Sequence, residues 1–336
     1  MKNFYLTFSL IVLICISYVS YKNFSSLILQ SHLLKEFNEN KYSDATLQLV
    51  INSEVSIPNV SVTTMPLNVM FARYYHVAGQ HDKALKMLDR PIRDNPYLYT
   101  KETLKAQIYS YLDVSDSAEF YAKKAFSNLP GNAVNFELLI KSLLKKRDIK
   151  AIISAFDSVT VKTDSQFWRI YFSAVLNLNY ENNTKILSQA KKAKKLFPND
   201  KELNILSDYL LYGPINIRES VEINKKADSI FLTGQIDLAA SLYVKGSKLN
   251  PSNYTFFENA GLCLYRLKRY NEAIPLLSKV VDSLNPLTGK SEYLLGMNLV
   301  ELNRTNEACK FFKKSMKFNF KPAFAEASKN LSLIHI

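Results

Sequence analysis

Glycine and proline are scarce, with eight Gly and 11 Pro in 336 residues. Such a chain is not collagen-like, and a Gly-rich β-barrel is disfavoured. Three cysteines cannot staple a small disulfide scaffold, and four scattered histidines leave little for a metal site. No Gly-rich phosphate loop, nucleophile elbow or paired-carboxylate motif is present. The chain therefore reads as non-enzymatic, with no cofactor.

Apolar residues are plentiful, at 47 %, and 20 Phe and 20 Tyr are far from a disordered composition. The formal net charge is +13, from 43 basic and 30 acidic residues. Lysine dominates the basic set, whereas phosphate and base readout favour arginine, so no specific nucleic-acid partner is expected. Basic stretches at 141–150, 191–195 and 310–318 sit at helical spacing around apolar residues. They read as a solvated outer face, with contact to an anionic lipid surface or acidic polymer as the other use.

Phe4 to Tyr21 is a run without charge between Lys2 and Lys22. An α-helix of about 20 residues crosses a hydrocarbon core. A cleaved signal peptide has a shorter apolar core and a small-x-small exit, and none follows this run. Residues 1–25 are expected to form an uncleaved signal anchor. The flanking basic residues nearly tie, and the short N-terminal tail favours an N-terminus inside. At the other end, Leu331 to Ile336 back-translates as CTG TCT CTT ATA CAC ATC. That string matches a transposase mosaic end, so 331–336 reads as a sequencing artefact.

Between the ends the sequence repeats itself. Phe257, Ala260-Gly261, Leu264, Tyr270, Ala273, Leu277, Val280 and Pro286 make one unit. Leu295-Gly296, Leu299, Ala308 and Phe312 repeat it 35 residues on. Upstream stand Ala227, Ile230, Ala239, Tyr243, Gly246 and Pro251. The N-terminal half keeps the same beat. One unit has Ala72, Tyr75, Gly79, Ala84 and Leu88, and the next has Ala106, Tyr109, Ala118 and Ala122. Ile140 to Val159 and Trp168 to Pro198 follow, and a weaker unit opens the series at Asn40 to Leu49.

The physics of the pattern is that of paired helices. Ala72, Ala106, Ala174, Ala227 and Gly261 let two helices approach. Ala45, Ala84, Ala118, Ala239, Ala273 and Ala308 do the same from the facing helix. Phe156, Leu277 and Phe312 fill the space between them. Proline ends the second helix. The beat breaks once: after Pro198 only Lys201 to Tyr212 reads as helix, and Gly213-Pro214 interrupts. Half a repeat is inserted there. The expected division is 26–212, a break at 213–219, then 220–330. A lesser irregularity falls at Ile57 to Met65.

Over about residues 26–322 the chain resembles the tetratricopeptide-repeat family. The resemblance implies an all-α, right-handed superhelical solenoid of antiparallel helix pairs, preceded here by one transmembrane helix. The family's ligand surface is its concave face, built from first helices. The slots there hold Arg73, Lys141, Trp168 and Tyr171 in the N-terminal half. In the C-terminal half they hold Asn224, Asp228 and Phe231, then Glu258, Leu262 and Tyr265, then Lys290, Tyr293 and Met297. Mixed aromatic and polar residues suit a protein or peptide partner. Asp228 and Glu258 put acid where a chaperone-tail clamp needs cation or amide, which argues against that co-factor role.

The expected function is a membrane-anchored, non-catalytic adaptor in the bacterial inner membrane, its repeats in the periplasm. The rival is the extracytoplasmic tail of a surface-polysaccharide polymerase or ligase, to which the stretch from Ala72 to Phe126 looks similar. Two residue pairs are left. Cys263 and Cys309 read as small apolar thiols. His76 and His81 lie five apart with Gly79 between, off the i, i+4 spacing of a helical metal pair, so packing explains them.

Overall fold

The computed structural model describes residues 2–39, 41–53, 65–90, 97–179, 183–284 and 286–329. The hexapeptide 331–336 and all of the 57–65 irregularity except Met65 lie outside these. The described residues are all-α, with no strand among them. Contacts separate two units, Met1–Asn179 and Tyr180–Ile336.

The first unit begins with α1 (Lys2–Glu39), a helix of 38 residues. Its side chains from Tyr5 to Tyr21 are exposed, and it is long and apolar enough to cross a membrane. From Ser26 on the same helix is amphipathic: Ser26, Gln30 and Leu33 are buried. It packs with α2 (Asp44–Asn52), so the helix of the apolar run is also the first helix of the first pair. Then come α3 (Leu67–Val77) with α4 (His81–Asp89), α5 (Thr100–Tyr111) with α6 (Ser115–Asn128), and α7 (Ala133–Lys145) with α8 (Ile149–Asp157). α9 (Ser165–Asn177) closes the unit against α7 and α8.

The second unit opens with α10 (Thr184–Leu196) packed on α11 (Lys201–Tyr212). Gly213 turns the chain at φ +87° and Pro214 starts α12 (Pro214–Leu232) at its first turn. Pairs follow: α12 with α13 (Ile236–Leu249), α14 (Tyr254–Arg266) with α15 (Tyr270–Lys279), and α16 (Lys290–Glu301) with α17 (Thr305–Lys317). A π-helical turn, Val280–Leu284, extends α15, and α18 (Lys321–Lys329) packs on α17.

Two local devices recur. The first is close approach. A Cβ on Gly261 would fall 2.6 Å from Leu277, and one on Gly296 would fall 2.6 Å from Phe312. Ala72, Ala106, Ala174 and Ala227 are buried in the same role. From the facing helices Ala84, Ala118, Ala239, Ala273 and Ala308 are buried too. Ala45 departs from expectation: it is exposed, and Thr46 takes the buried place because its hydroxyl reaches Glu36 on α1.

The second device is the turn inside each pair. One residue takes the left-handed conformation: Gly79, Asp113 and Arg147 in the first unit, each 34 on from the last. Gly234, Lys268 and Asn303 do so in the second. The N–H that follows reaches back five residues, as Gln80 to Tyr75 O at 2.8 Å, Asp148 to Leu143 O at 3.1 Å and Arg269 to Leu264 O at 2.9 Å. This geometry satisfies the last carbonyls of the first helix.

Candidate peptide-binding groove

In a stacked helix pair the small residue is spent on packing, so the residue after it is free to face out. In the first unit these followers are Arg73 after Ala72, Gln107 after Ala106 and Lys141 after Ile140, again 34 apart. Arg73 and Gln107 line a groove of about 360 Å³ built from the end of α1, α3, α5 and the start of α7. Phe37, Met65, Val69, Leu98, Leu104 and Val134 give it apolar walls. Thr100, Thr103, Asn132 and Asn135 add polar atoms, and Arg73 is the one charged residue among those that line it.

The groove is pre-organised. Arg73 Nε donates to Tyr42 Oη at 3.1 Å and Nη1 donates to Gln107 Oε1 at 2.9 Å. Its guanidinium lies 5.8 Å from the Phe37 ring centre and 5.9 Å from that of Tyr42. Aromatic faces and neutral acceptors hold the cation, and no acid pairs with it among the described residues. Thr103 Oγ1 donates to Asn135 Oδ1 at 2.7 Å, and Asn135 Nδ2 to Ala125 O at 3.4 Å, which orients the amide. Such a site offers donors to carbonyl or carboxylate oxygens and apolar room for one side chain.

The other expected residues are placed as follows. Lys141 is exposed on α7 and pairs with Glu137 at 2.7 Å. Tyr171 is fully buried in α9 and stacks on Phe156, centroids 4.2 Å apart. In the second unit Asn224 Nδ2 donates to Asp228 Oδ2 at 2.9 Å, and Asp228 also accepts from the Tyr243 hydroxyl. The Arg266 guanidinium stands 4.7 Å over the Phe231 ring. Glu258 is 4 % exposed; it takes Lys290 Nζ at 2.7 Å and the Ser291 hydroxyl at 2.6 Å. Tyr265 meets Tyr270, and Tyr293 meets Phe312 and Phe320.

Gln107, Thr103 and Asn135 were not singled out from the sequence. A signal existed for Gln107, which lies midway between Arg73 and Lys141 in the register. A cationic stripe was legible: Lys191, Lys192 and Lys195 line one face of α10 with Thr184, Leu187 and Ser188. Cys263 is buried, which pushes its thiol up to about 11, while Cys309 is half-buried; both are free. His76 and His81 come together across the turn from α3 to α4, Nδ1 to Nδ1 at 3.0 Å. Burial, with His81 and Arg73 close by, holds the His76 imidazole down at about 4.

Residues 292–322, which span α16 and α17, match the tetratricopeptide-repeat family. That match falls on a helix pair whose register the other pairs share. The family match itself rests on this one pair. No curated protein matches it. Among solved structures it is similar to the P58(IPK) TPR domain, 14 % identical over 92 % of this chain and 98 % of that one, with a TM-score of 0.39. It is also similar to a tetratricopeptide repeat protein from Parabacteroides merdae, 12 % identical over 76 % of this chain and 93 % of that one, with a TM-score of 0.36. A third is the TPR2AB domain of yeast Sti1 in complex with pHSP90, 14 % identical over 70 % and 96 %, with a TM-score of 0.30. Likenesses this faint say nothing of this chain's own partner.

Proposed function

We propose that this chain is a tetratricopeptide-repeat protein acting as a non-catalytic adaptor, held to a bacterial inner membrane by α1, that binds an extended segment of a protein partner in the groove of its first unit. The carrying observation is Arg73: half-buried, aligned by Tyr42 and Gln107, and paired with no acid among the described residues. The ligand segment presents a carboxylate or carbonyl to Arg73, with an apolar side chain set against Leu104 and Val134. The lysines of α10 favour an anionic surface, lipid or polymer, as a secondary contact. The repeats lie in the periplasm.

The test is photo-crosslinking in cells from a benzophenone residue at Val134. A discrete adduct that is lost in Arg73→Glu and kept in Lys150→Glu supports the groove. Adducts indifferent to Arg73→Glu refute it. A reporter active only outside the cytoplasm, fused after Asn330, tests the orientation.

One observation favours a second reading. α1 runs unbroken from the apolar stretch into the first helix pair. That continuity suits the tail of a surface-polysaccharide polymerase or ligase, whose last membrane helix leads straight into repeats. Genomic sequence upstream of Met1 that encodes further membrane helices in frame selects this reading, and a ribosome-binding site there selects the adaptor.

A further inference from the structure

α3 ends at Val77 and α4 begins at His81, so the intervening turn folds His81 back on His76. Gly79 makes the fold-back possible at φ +74°. The result is two imidazoles, both half-buried, whose Nδ1 atoms face each other at 3.0 Å. Their rings are tilted 54° to one another. Tyr111, the last residue of α5, covers one side, its ring 4.6 Å from that of His81 and edge-on to His76 at 5.7 Å. Tyr111 is exposed, and neither imidazole is fully buried.

The separation selects a geometry. With metal–nitrogen bonds of about 2.0–2.1 Å, nitrogens 3.0 Å apart subtend roughly 90–97° at the metal. That is the cis angle of a tetragonal centre. A tetrahedral centre needs nitrogens about 3.3 Å apart at the same bond length. Tetragonal nitrogen and oxygen sites suit Cu(II), which also heads the order of divalent affinities. We infer that His76 and His81 form a two-imidazole chelate for Cu(II) at the α3–α4 turn, with water or a donor from another molecule in the remaining positions. No third His, Cys, Asp or Glu joins the pair among the described residues. The site is therefore an open one, able to take an exogenous ligand. The Arg73 guanidinium, one turn earlier on α3, opposes a cation and keeps the affinity below that of a closed site. The chelate staples the turn that joins the two helices of the pair carrying Arg73. Its two ligands do not line the groove, and the proposal does not depend on the adaptor reading.

The competing account of a 3.0 Å contact is a single shared proton, N–H to N. The experiment is a titration of the full chain in detergent micelles with Cu(II) at neutral pH, read by electron paramagnetic resonance. One tetragonal copper per chain with hyperfine splitting from two nitrogens is expected. The signal is lost in His76→Gln and in His81→Gln, each with helix content unchanged by circular dichroism, and kept in His32→Gln. Absence of a saturable copper signal overturns the proposal, as does a signal that survives either glutamine variant. Zn(II) that displaces the copper at equal concentration overturns the tetragonal assignment.

Discussion

The two units use one helical register to build opposite surfaces. In the first, the residues after the buried packing positions are Arg73, Gln107 and Lys141; in the second, they are Asp228, Leu262 and Met297. Cation and amide in one unit are replaced by acid and apolar groups in the other. The first unit's Arg73 is held by neutral and aromatic groups and stays available. The second unit turns two of its acids inward: Glu258 is sealed by Lys290 and Ser291, and Glu292 is 1 % exposed with Lys314 Nζ at 3.4 Å. Packing fixes the small residue and constrains its half-buried follower less. Partner chemistry can therefore change there without disturbing the stack.

The sharpest way to break that claim is to mutate both positions side by side. Gly261→Val puts carbon into the Leu277 side chain, where even a Cβ sits 2.6 Å away. Overpacking there costs about 3 kcal/mol. Leu262, its neighbour, is half-buried at the edge of the core, and Leu262→Arg costs less, about 1 kcal/mol. Urea unfolding of the two variants against wild type decides it. Equal losses refute the division between packing residue and follower. A smaller effect tests the inward-turned acids. Lys290→Met leaves the Glu258 carboxylate buried with Ser291 as its remaining donor, at a cost of about 2 kcal/mol. The corresponding change in the first unit, Lys141→Met, removes an exposed i, i+4 pair and stays within about 0.5 kcal/mol.

This division explains what could be read in advance. Helix pairs were legible because Ala and Gly recur where two backbones must touch, and the large residues facing them recur too. The groove was only half legible, since its followers share a slot but not a residue type: Arg73 and Lys141 were singled out, while Gln107 between them was passed over. Tyr171 reads as a groove residue by position, but its ring stacks on Phe156 inside the core. Glu258 reads as an exposed acid, but its charge is matched by a lysine from the next first helix, a pairing across 32 residues that no local pattern announces. His76 and His81 read together as packing residues because they are off helical spacing; a turn, rather than one helix face, brings them together.

The first unit also carries a feature of its own at the junction of α1 and the repeats. Glu36 accepts from Ser43 N at 3.0 Å, Thr46 Oγ1 at 2.7 Å and Tyr74 Oη at 2.8 Å, and from the Ser43 hydroxyl. Burial pushes this carboxyl up, but those donors outweigh it and hold it at about 2, against 4.5 for a free glutamate. A depressed folded value stabilises the fold above the unfolded value, and that contribution is lost as protons bind. The first unit is expected to lose stability as pH falls from about 4.5 to about 2, and Glu36→Gln to flatten that dependence. Hydrogen exchange at Val50 and Met70 reports it. A wild-type profile identical to that of the variant removes Glu36 as the link between α1 and the helices it meets.

The smallest expected effect concerns what the units share. Six pairs place one left-handed residue in the turn, yet among these the chain spends glycine only at 79 and 234. Arg147 and Lys268 hold φ of 54° and 58° with a side chain attached. For a residue with a Cβ this region costs about 1 kcal/mol, which glycine avoids. Against that, glycine gives the unfolded chain more freedom, which takes back part of the gain. Arg147→Gly and Lys268→Gly are thus each expected to stabilise their unit by about 0.5 kcal/mol. Gly79→Ala and Gly234→Ala are expected to destabilise by about 1 kcal/mol, since nothing within 4 Å opposes the added carbon and only the backbone does. Melting curves of the four variants separate the terms. If the two glycine substitutions lower the melting temperature, the turns are held by side-chain contacts at 147 and 268. The backbone would then no longer be the common element on which the two units hang their different surfaces.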